Sequence, residues 1–399
     1  MQAVERYTAV ANWLDEDDSH LHGYSPDIYP QGSFRLGTVV RPLKNGEEAD
    51  YDIDLVSELQ IDKADTTPSR LKGIVGDRLK ENADYKRMLD EEGRRCWTLN
   101  YAEEDGIGFH MDILPAVPDD DTWKHKLNSS GVAWQYAQHA VAITDKNEDS
   151  EVYSWSGSNP RGYALWFDDV KRPSLSYIEE REKRLLVERH PEMFKGIEEV
   201  PTEIVRTPLQ RVIQLLKRHR DMRFLGHKWE DEKPISMIIT TLAAQAYDNE
   251  SELYTALKNI LDRISDYVNT HLIQKRNGEW YIPNPVDPAE NFADRWNVPG
   301  SKGANAFFQW VEWVKQDLAV ALGHDSLAEI EKALVPCFGK RAIAEGLNKH
   351  RRVNPASKVA GNITLVGKLL PSRFDVPHRE KPKWKIRIRY RVTVKGRYK

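Results

Sequence analysis

The stretch Gln31-Gly32-Ser33-Phe34-Arg35-Leu36-Gly37-Thr38 is followed closely by Asp50-Tyr51-Asp52-Ile53-Asp54-Leu55. Together these two segments decide how the rest of the sequence is interpreted, because a Gly-Ser turn precedes two carboxylates spaced two residues apart. Side chains two residues apart in a strand point to the same face of a sheet. We therefore expect Asp52 and Asp54 to project together, while the apolar residues between and after them face a core.

A third carboxylate, Asp112, lies in the later strand-like run Phe109-His110-Met111-Asp112-Ile113-Leu114. If the two strands are neighbours, Asp112 joins Asp52 and Asp54 at one place. Three carboxylates that converge repel one another unless cations lie between them, and Mg²⁺ takes oxygen ligands together with phosphate oxygens and water. Two such ions stabilise the attacking and leaving oxygens of a phosphoryl displacement. The pattern therefore predicts phosphoryl-transfer chemistry.

The Gly-Ser turn is expected to supply the phosphate-binding part of the same site. Gly32 lets the backbone approach a phosphate closely, and the amides and the Ser33 hydroxyl can bind its oxygens. A helix that begins near Phe34 would add a favourable potential for an anion.

The ordered set of Gly-Ser, Asp-x-Asp and one later Asp resembles the polymerase-β-like nucleotidyltransferase superfamily. The longer pattern, Tyr29 to Thr38 with Arg41-Pro42 and Tyr51 to Leu55, resembles the bacterial cGAS/DncV-like nucleotidyltransferases, or CD-NTases, of the SMODS group. Members of this family make cyclic oligonucleotide second messengers in antiphage (CBASS) defence.

The resemblance implies an α+β, two-lobed fold. A polymerase-β-like core with a mixed β-sheet is expected over residues 1–180, with an N-terminal spine helix over Ala3 to Leu14. An oligoadenylate-synthetase-like helical lobe is expected over residues 181–350, and a basic C-terminal strand or tail over residues 351–399. The active site is expected in the cleft between the two lobes.

The resemblance also implies roles for individual residues. Asp52 and Asp54 are expected to hold two Mg²⁺ ions, for which Mn²⁺ can substitute. Asp112 is expected to complete the first metal site and to help deprotonate the attacking ribose hydroxyl. The triphosphate of ATP, GTP or another nucleoside triphosphate is expected to contact residues from both lobes: Gln31, Gly32, Ser33, Lys217 and Ser236.

The basic run Lys217 to Arg220 allows a second interpretation. Lys217 and Ser236 match the family in residue type and order, but a basic run on a helix is also typical of a solvated face. Relatives often carry a Tyr after that Ser, and Met237 occupies the position here. The aromatic pair Trp166-Phe167 leaves a similar choice between stacking on a base and packing in the core.

Composition sets limits on compartment and partners. The chain has 399 residues, two cysteines and a net charge of −4, and it contains no apolar run long enough to span a bilayer. We expect a reduced, cytoplasmic protein without a structural zinc site, since Cys96 and Cys337 require no disulfide and no Cys-His cluster is present.

The charge is unevenly distributed. Residues 371–399 hold eleven Lys or Arg against two Asp or Glu, so the remainder carries about −13. A body with that balance is not suited to neutralising the phosphates of long nucleic acid. Lys385 to Val394 alternates apolar and basic residues and predicts a strand, which we expect to pair with a regulatory protein partner or to reach nucleic acid.

Several elements are predicted from periodicity and turn signals. Helices are expected over Pro68 to Leu79 and Leu253 to His271, and a strand pair over Arg94 to Tyr101 and Gly108 to Leu114. Thr144 to Arg161 is expected to be a polar segment with a turn, and Trp280 to Phe292 a loop stiffened by proline.

Three functions are consistent with these features. The first is a template-independent cyclic oligonucleotide synthase, which the extended motif favours. The second is a linear polymerase or a tRNA-modifying nucleotidyltransferase that uses the same carboxylates. The third is an inactive nucleotide- or RNA-binding sensor, although the complete set of three carboxylates argues against it.

Overall fold

The computed structural model describes residues 2–41, 43–44, 47–48, 51–104, 107–147, 150–189, 205–344 and 347. These residues form an α+β fold with a mixed sheet in the first half and mainly helices in the second, as the sequence predicts. No helix among them is long and apolar enough to cross a membrane. The predicted basic strand from Lys385 to Val394 lies outside the described residues.

The described strands of the first half form a six-stranded sheet in the order β1-β4-β6-β7-β8, with β5 paired to β6. The strands are β1 (Asp27–Gln31), β4 (Tyr51–Glu58), β5 (Trp97–Glu104), β6 (Ile107–Pro118), β7 (Val141–Lys146) and β8 (Tyr153–Ser158). Two short strands, β2 (Leu43–Lys44) and β3 (Glu47–Glu48), form a separate pair. Strand β6 runs parallel to β4 and antiparallel to β5 and β7, so it lies at the centre of the sheet.

Helices cover this sheet and join it to the second half. They are α1 (Gln2–Leu14), α2 (Gly32–Leu36), α3 (Pro68–Glu81), α4 (Ala83–Met88), α5 (Asp121–Ser129), α6 (Trp134–Ala137) and α7 (Pro160–Arg189). The start of α3 is set as its sequence predicts. The Thr67 side chain accepts a hydrogen bond from the amide of Arg70, and Pro68 occupies the first turn, where its missing N–H costs nothing.

The second half is organised around one buried helix, α8 (Pro208–Phe224). Fourteen of its 17 residues are buried. A capping box fixes its start, because Thr207 and Gln210 exchange side-chain and backbone hydrogen bonds. The surrounding elements are α9 (Ser236–Ala246), α10 (Leu253–Ser265), α11 (Tyr267–Thr270), β9 (Gln274–Arg276), β10 (Glu279–Tyr281), β11 (Pro283–Asn284), β12 (Asp287–Asn291), α12 (Gly303–Leu322) and α13 (Leu327–Phe338).

Two large apolar clusters correspond to the two halves. One packs α1 and α3 against the sheet and includes Leu14, Ile53, Leu55 and Leu71. The other fills the helical half and also takes in residues from α5 to α7. The predicted boundary at residue 180 falls inside helix α7, which contributes residues to the second cluster. The domain boundaries at residues 180 and 350 therefore stay predictions.

Three local predictions differ from the structure. The segment predicted as polar between Thr144 and Arg161 instead contains parts of β7 and the whole of β8, since Tyr153 and Trp155 alternate along an added strand. The predicted helix over Leu253 to His271 is interrupted at Asp266 and ends at His271, whose φ is 55°. The predicted loop over Trp280 to Phe292 contains short paired strands.

Candidate active site

The three predicted carboxylates lie on adjacent parallel strands. Asp54 on β4 stands directly opposite Asp112 on β6, and Asp52 stands opposite His110. Neighbouring strands are about 4.8 Å apart, so the Asp54 and Asp112 side chains emerge next to each other. The apolar residues that alternate with them, Ile53 and Leu55, are completely buried. The predicted common face of Asp52, Asp54 and Asp112 is confirmed by this register.

Asp112 is held in place by a neighbour that sequence reasoning missed. Thr98 on β5 stands opposite Asp112, and its hydroxyl donates a hydrogen bond of 2.6 Å to Asp112 Oδ1. This bond leaves the second carboxylate oxygen available to a ligand. Thr98 lies between the apolar residues Trp97 and Leu99 on β5, which is a weak signal, because its meaning depends on the register between β5 and β6.

The electrostatics of this cluster favour the binding of cations. Burial, together with the neighbouring charges of Asp112 and Asp52, raises the pKa of Asp54 to about 7, against an opposing effect of Lys217. A bound cation would relieve this repulsion. Carboxylate oxygens are the hard ligands that Mg²⁺ and Mn²⁺ take, so the donor set fits divalent ions, with Asp52, Asp54 and Asp112 as ligands.

Gly32 is packed directly against one of the carboxylates. Strand β1 pairs with β4 so that Gln31 is opposite Asp54, and the short helix α2 begins at the next residue. Gly32 has a φ of +58°, and a Cβ built on it would lie 2.4 Å from Asp54 Oδ2. Any other residue would therefore require Asp54 or the backbone to move. Ser33 follows in the first turn of α2, where backbone amides lack acceptors within the helix.

Helix α8 holds the segment that follows α2. Its side chains at positions 210, 214 and 217 share one face of the helix. Gln210 Nε2 donates to Leu36 O at 2.8 Å, and Gln214 Nε2 donates to Val39 O at 3.0 Å. Lys217 Nζ donates to both the carbonyl and the hydroxyl oxygen of Thr38 at 3.3 Å. These contacts fix Lys217 beside the Gly-Ser segment.

Lys217 lies in a buried environment rather than on a solvated face. Its exposure is 3%, and Arg218, His219 and Arg220 are exposed by 8% or less. Burial and the neighbouring charge of Arg220 lower the pKa of Lys217 to about 7, against opposing effects of Asp221 and Asp54. Lys217 contacts Thr38, and Gly32 of the same segment lies against Asp54, so the helical half borders the carboxylate cluster.

Ser236 is the first residue of α9, as its position after Pro234 predicts. Its Oγ accepts a hydrogen bond of 3.1 Å from Arg220 Nη1. Met237 is half-buried and packs against the core of the helical half. Phe167 on α7 is completely buried in the same core, and Trp166 packs against it, so this aromatic pair serves packing.

Another cluster in the described part of the chain resembles a metal site by distance alone. Single ligand atoms of His219, Asp317 and Cys337 lie within 4.8 Å of one another. However, Trp310 Nε1 donates to His219 Nδ1, so His219 Nε2 carries the hydrogen and donates to Asp317. Arg223 makes two further hydrogen bonds to Asp317. These atoms are engaged with one another, and the cluster is a packing feature of the helical core.

Comparisons with known proteins agree with this geometry. A family profile described as "Cyclic GMP-AMP synthase DncV-like, nucleotidyltransferase domain" matches residues 26–115, which include the Gly-Ser motif and all three carboxylates. A c-di-GMP synthase of Roseivirga ehrenbergii is 30% identical over 358 residues, which is 86% of this chain and 82% of that protein. The cyclic dinucleotide synthase CdnG of Bradyrhizobium diazoefficiens is 26% identical over 302 residues, 74% of this chain and 65% of the relative.

Solved structures show the same fold. The B. diazoefficiens CD-NTase CdnG, in complex with GTP, is 22% identical and superposes with a TM-score of 0.63 over 88% of this chain and 93% of its own. The CdnC protein of E. coli MS115-1 with ATP is 14% identical, with a TM-score of 0.52 over 85% of this chain and 90% of its own. The described chain therefore has the polymerase-β-like nucleotidyltransferase fold of these proteins.

Proposed function

Since the chain belongs to the bacterial cGAS/DncV-like nucleotidyltransferases, we propose that it joins nucleoside triphosphates into a cyclic di- or trinucleotide and releases pyrophosphate. The observation that carries the proposal is the register of β4 and β6, which places Asp54 beside Asp112, with Gly32 against Asp54. The names of the relatives favour a cyclic dinucleotide and GTP among the substrates. ATP remains an alternative or second substrate.

The carboxylates are assigned to two Mg²⁺ ions, which Mn²⁺ can replace. Asp52 and Asp54 would hold both ions, and Asp112 would complete the first site. When bound, such ions stabilise charge on the attacking and leaving oxygens. The hydrogen bond from Thr98 orients Asp112, whose other oxygen is then available to accept the proton of the attacking ribose hydroxyl.

The triphosphate is assigned to groups that converge from both halves of the molecule. Gln31, Gly32 and Ser33 approach it from the sheet side, where the amides of α2 begin. Lys217 and Ser236 approach it from the helical side. Because burial lowers the pKa of Lys217 to about 7, an adjacent triphosphate would favour its protonated form and draw in a proton on binding.

The net charge of the chain supports a reaction in which long RNA is not the acceptor. An enzyme that extends long RNA holds the backbone along a basic groove, and each neutralised phosphate adds affinity. The body of this chain carries a net charge of about −13, and its basic run at Lys217 to Arg220 is buried. A linear dinucleotide retained in the cleft could turn, so that its own triphosphate becomes the donor, and ring closure would gain from proximity.

The proposal also covers the domain organisation of the chain and its biological role. A nucleotidyltransferase lobe over residues 1–180, a helical lobe over 181–350 and a basic tail over 351–399 would form the functional units. The enzyme would act in the cytoplasm in antiphage (CBASS) signalling, with the tail as the contact for a regulatory protein.

Lys217→Met is expected to weaken binding of a nonhydrolysable GTP analogue by roughly 1–3 kcal/mol, the range for a charge-assisted contact. In the wild type, affinity is expected to fall as the pH rises through about 7, because the free Lys217 loses its proton there. In the variant the part of this pH dependence that comes from Lys217 should disappear. Titration calorimetry between pH 6 and 9 measures both effects.

Lys258→Met serves as the matched control, since Lys258 is exposed and pairs with Asp262 on α10. Its affinity and pH profile should equal those of the wild type. An unchanged affinity in Lys217→Met would assign Lys217 a purely structural role as a partner of Thr38.

RNA independence is the direct test of the proposed function. Pyrophosphate release from GTP, ATP or their mixture with Mg²⁺ is expected to proceed without RNA and to change little when RNA or a DNA duplex is added. Release that begins only with added RNA would contradict the proposal and favour a polymerase or tRNA-modifying enzyme. The absence of release under all conditions, with binding of the analogue retained, would favour a sensor.

A further inference from the structure

Arg220 connects α8 to the start of α9 through a buried network. Its guanidinium donates a hydrogen bond from Nε to Asp221 Oδ1 at 2.8 Å, and Nη2 lies 2.7 Å from the same oxygen as an ion pair. Nη1 donates to the carbonyl of Pro234 at 2.9 Å and to Ser236 Oγ at 3.1 Å. Arg220 and Asp221 are each less than 9% exposed. The planar fork of arginine thus fixes two points at the beginning of α9 relative to α8.

The direction of the hydrogen bond determines what Ser236 can do. A guanidinium group can only donate, so the bond from Arg220 uses the Ser236 oxygen as an acceptor. The hydroxyl hydrogen of Ser236 is then left to be donated to another group. A donor at this position suits an anion such as a phosphate oxygen, because every oxygen of a triphosphate is an acceptor.

The charge of Arg220 is largely balanced where it lies. One hydrogen bond and a close ion pair join it to the buried carboxylate of Asp221. Arg220 should therefore affect a nearby anion mainly through the orientation of Ser236 that it imposes, and less through its charge. This distinction can be tested, because lysine keeps the charge of arginine and loses its fork.

We propose that Arg220 is a positioning residue that orients the Ser236 hydroxyl as a donor to the triphosphate of the incoming nucleotide. The inference rests on the proposed function, and specifically on the contact between Ser236 and the triphosphate. Arg220 acts through Ser236 and the Pro234 carbonyl and does not itself touch the nucleotide.

The test is a double-mutant cycle on steady-state kinetics with GTP. Ser236→Ala is expected to raise KM about tenfold, as for one lost hydrogen bond to a charged group, with kcat changed less than threefold. Arg220→Lys is expected to raise KM by a similar factor, and the double variant no further than the larger single effect. Arg223→Lys is the control, since Arg223 lies on the same helix but contacts Asp317 instead. Its KM should be unchanged.

The possible outcomes separate the inference from the function on which it rests. If the two effects multiply in the double variant, or if Arg220→Lys keeps the wild-type KM, the positioning role is wrong and the Ser236 contact stands. If Ser236→Ala leaves KM unchanged, the contact between Ser236 and the triphosphate is wrong, and so is the positioning role of Arg220. Should Arg220→Lys fail to fold, Arg220→Met with Asp221→Leu removes both buried charges together, and the same coupling to Ser236→Ala is expected.

Discussion

The double substitution Asp52→Asn with Asp54→Asn is expected to abolish nucleotide turnover and to leave the fold intact. The two side chains share the face of β4 that meets Asp112 on β6, and the asparagines would keep their shape but remove two of the three negative charges that divalent ions require. Pyrophosphate release should fall to background with Mg²⁺ and with Mn²⁺. Turnover near that of the wild type would refute the assignment of these carboxylates.

The same variant should be more stable than the wild type in metal-free buffer. Burial and the neighbouring carboxylates raise the pKa of Asp54 to about 7, so the folded state holds this proton more tightly than the unfolded state. The contribution of Asp54 to stability is present at pH 4 and is lost as the pH rises through 7. The gain in unfolding temperature should therefore be larger at pH 8 than at pH 5. Asp77→Asn, at an exposed site on α3, should show no such difference.

Gly32→Ala is the second substitution with a large expected effect. A Cβ at this position would lie 2.4 Å from Asp54 Oδ2, and the φ of +58° is unfavourable for alanine. Either the Asp54 carboxylate or the backbone of the Gly-Ser segment must move. Since a displacement of about 1 Å in a catalytic group can cost on the order of 10²-fold in rate, we expect kcat to fall by at least that factor. Steady-state kinetics with GTP measures this loss.

Gly226→Ala is the control that separates the effect of backbone strain from the effect of the contact between position 32 and Asp54. Gly226 has a φ of +67°, and a Cβ there would meet no atom within 4 Å. Both variants should lose free energy of unfolding on the order of 1–2 kcal/mol for a left-handed alanine, and Gly32→Ala should lose more because of its contact with Asp54. Only Gly32→Ala should lose activity. Equal losses of activity in both variants would mean that the contact between Gly32 and Asp54 is not what matters.

The carboxylate site could be predicted from the sequence because its signals are local. Alternation along Tyr51 to Leu55 places Asp52 and Asp54 on one face, and this face depends only on strand geometry. The start of α9 at Ser236 was likewise predictable from the turn signal before it. The additional strand β8 was missed because its Ser- and Gly-containing sequence is also typical of a turn, and only pairing with β7 makes it a strand.

The supporting contacts could not be predicted because they join distant parts of the chain. Gln210 and Gln214 reach carbonyls 174 and 175 residues earlier in the sequence, and Lys217 reaches Thr38 at a separation of 179 residues. Their type gives no signal, since glutamine on a helix is usually solvated. Arg220 could not be predicted either. A basic run on a helix suggests a solvated face, whereas Arg220 is buried against Asp221.

The most direct measurement of the central claim is the mass of the reaction product after phosphatase treatment. GTP, ATP and their mixture are incubated with the full chain and Mg²⁺, without RNA, and the products are treated with phosphatase and analysed by mass spectrometry. We expect a short product that resists phosphatase and whose mass equals that of whole nucleoside monophosphates less one water for each. A ladder of linear chains whose terminal phosphates are removed by phosphatase would contradict it.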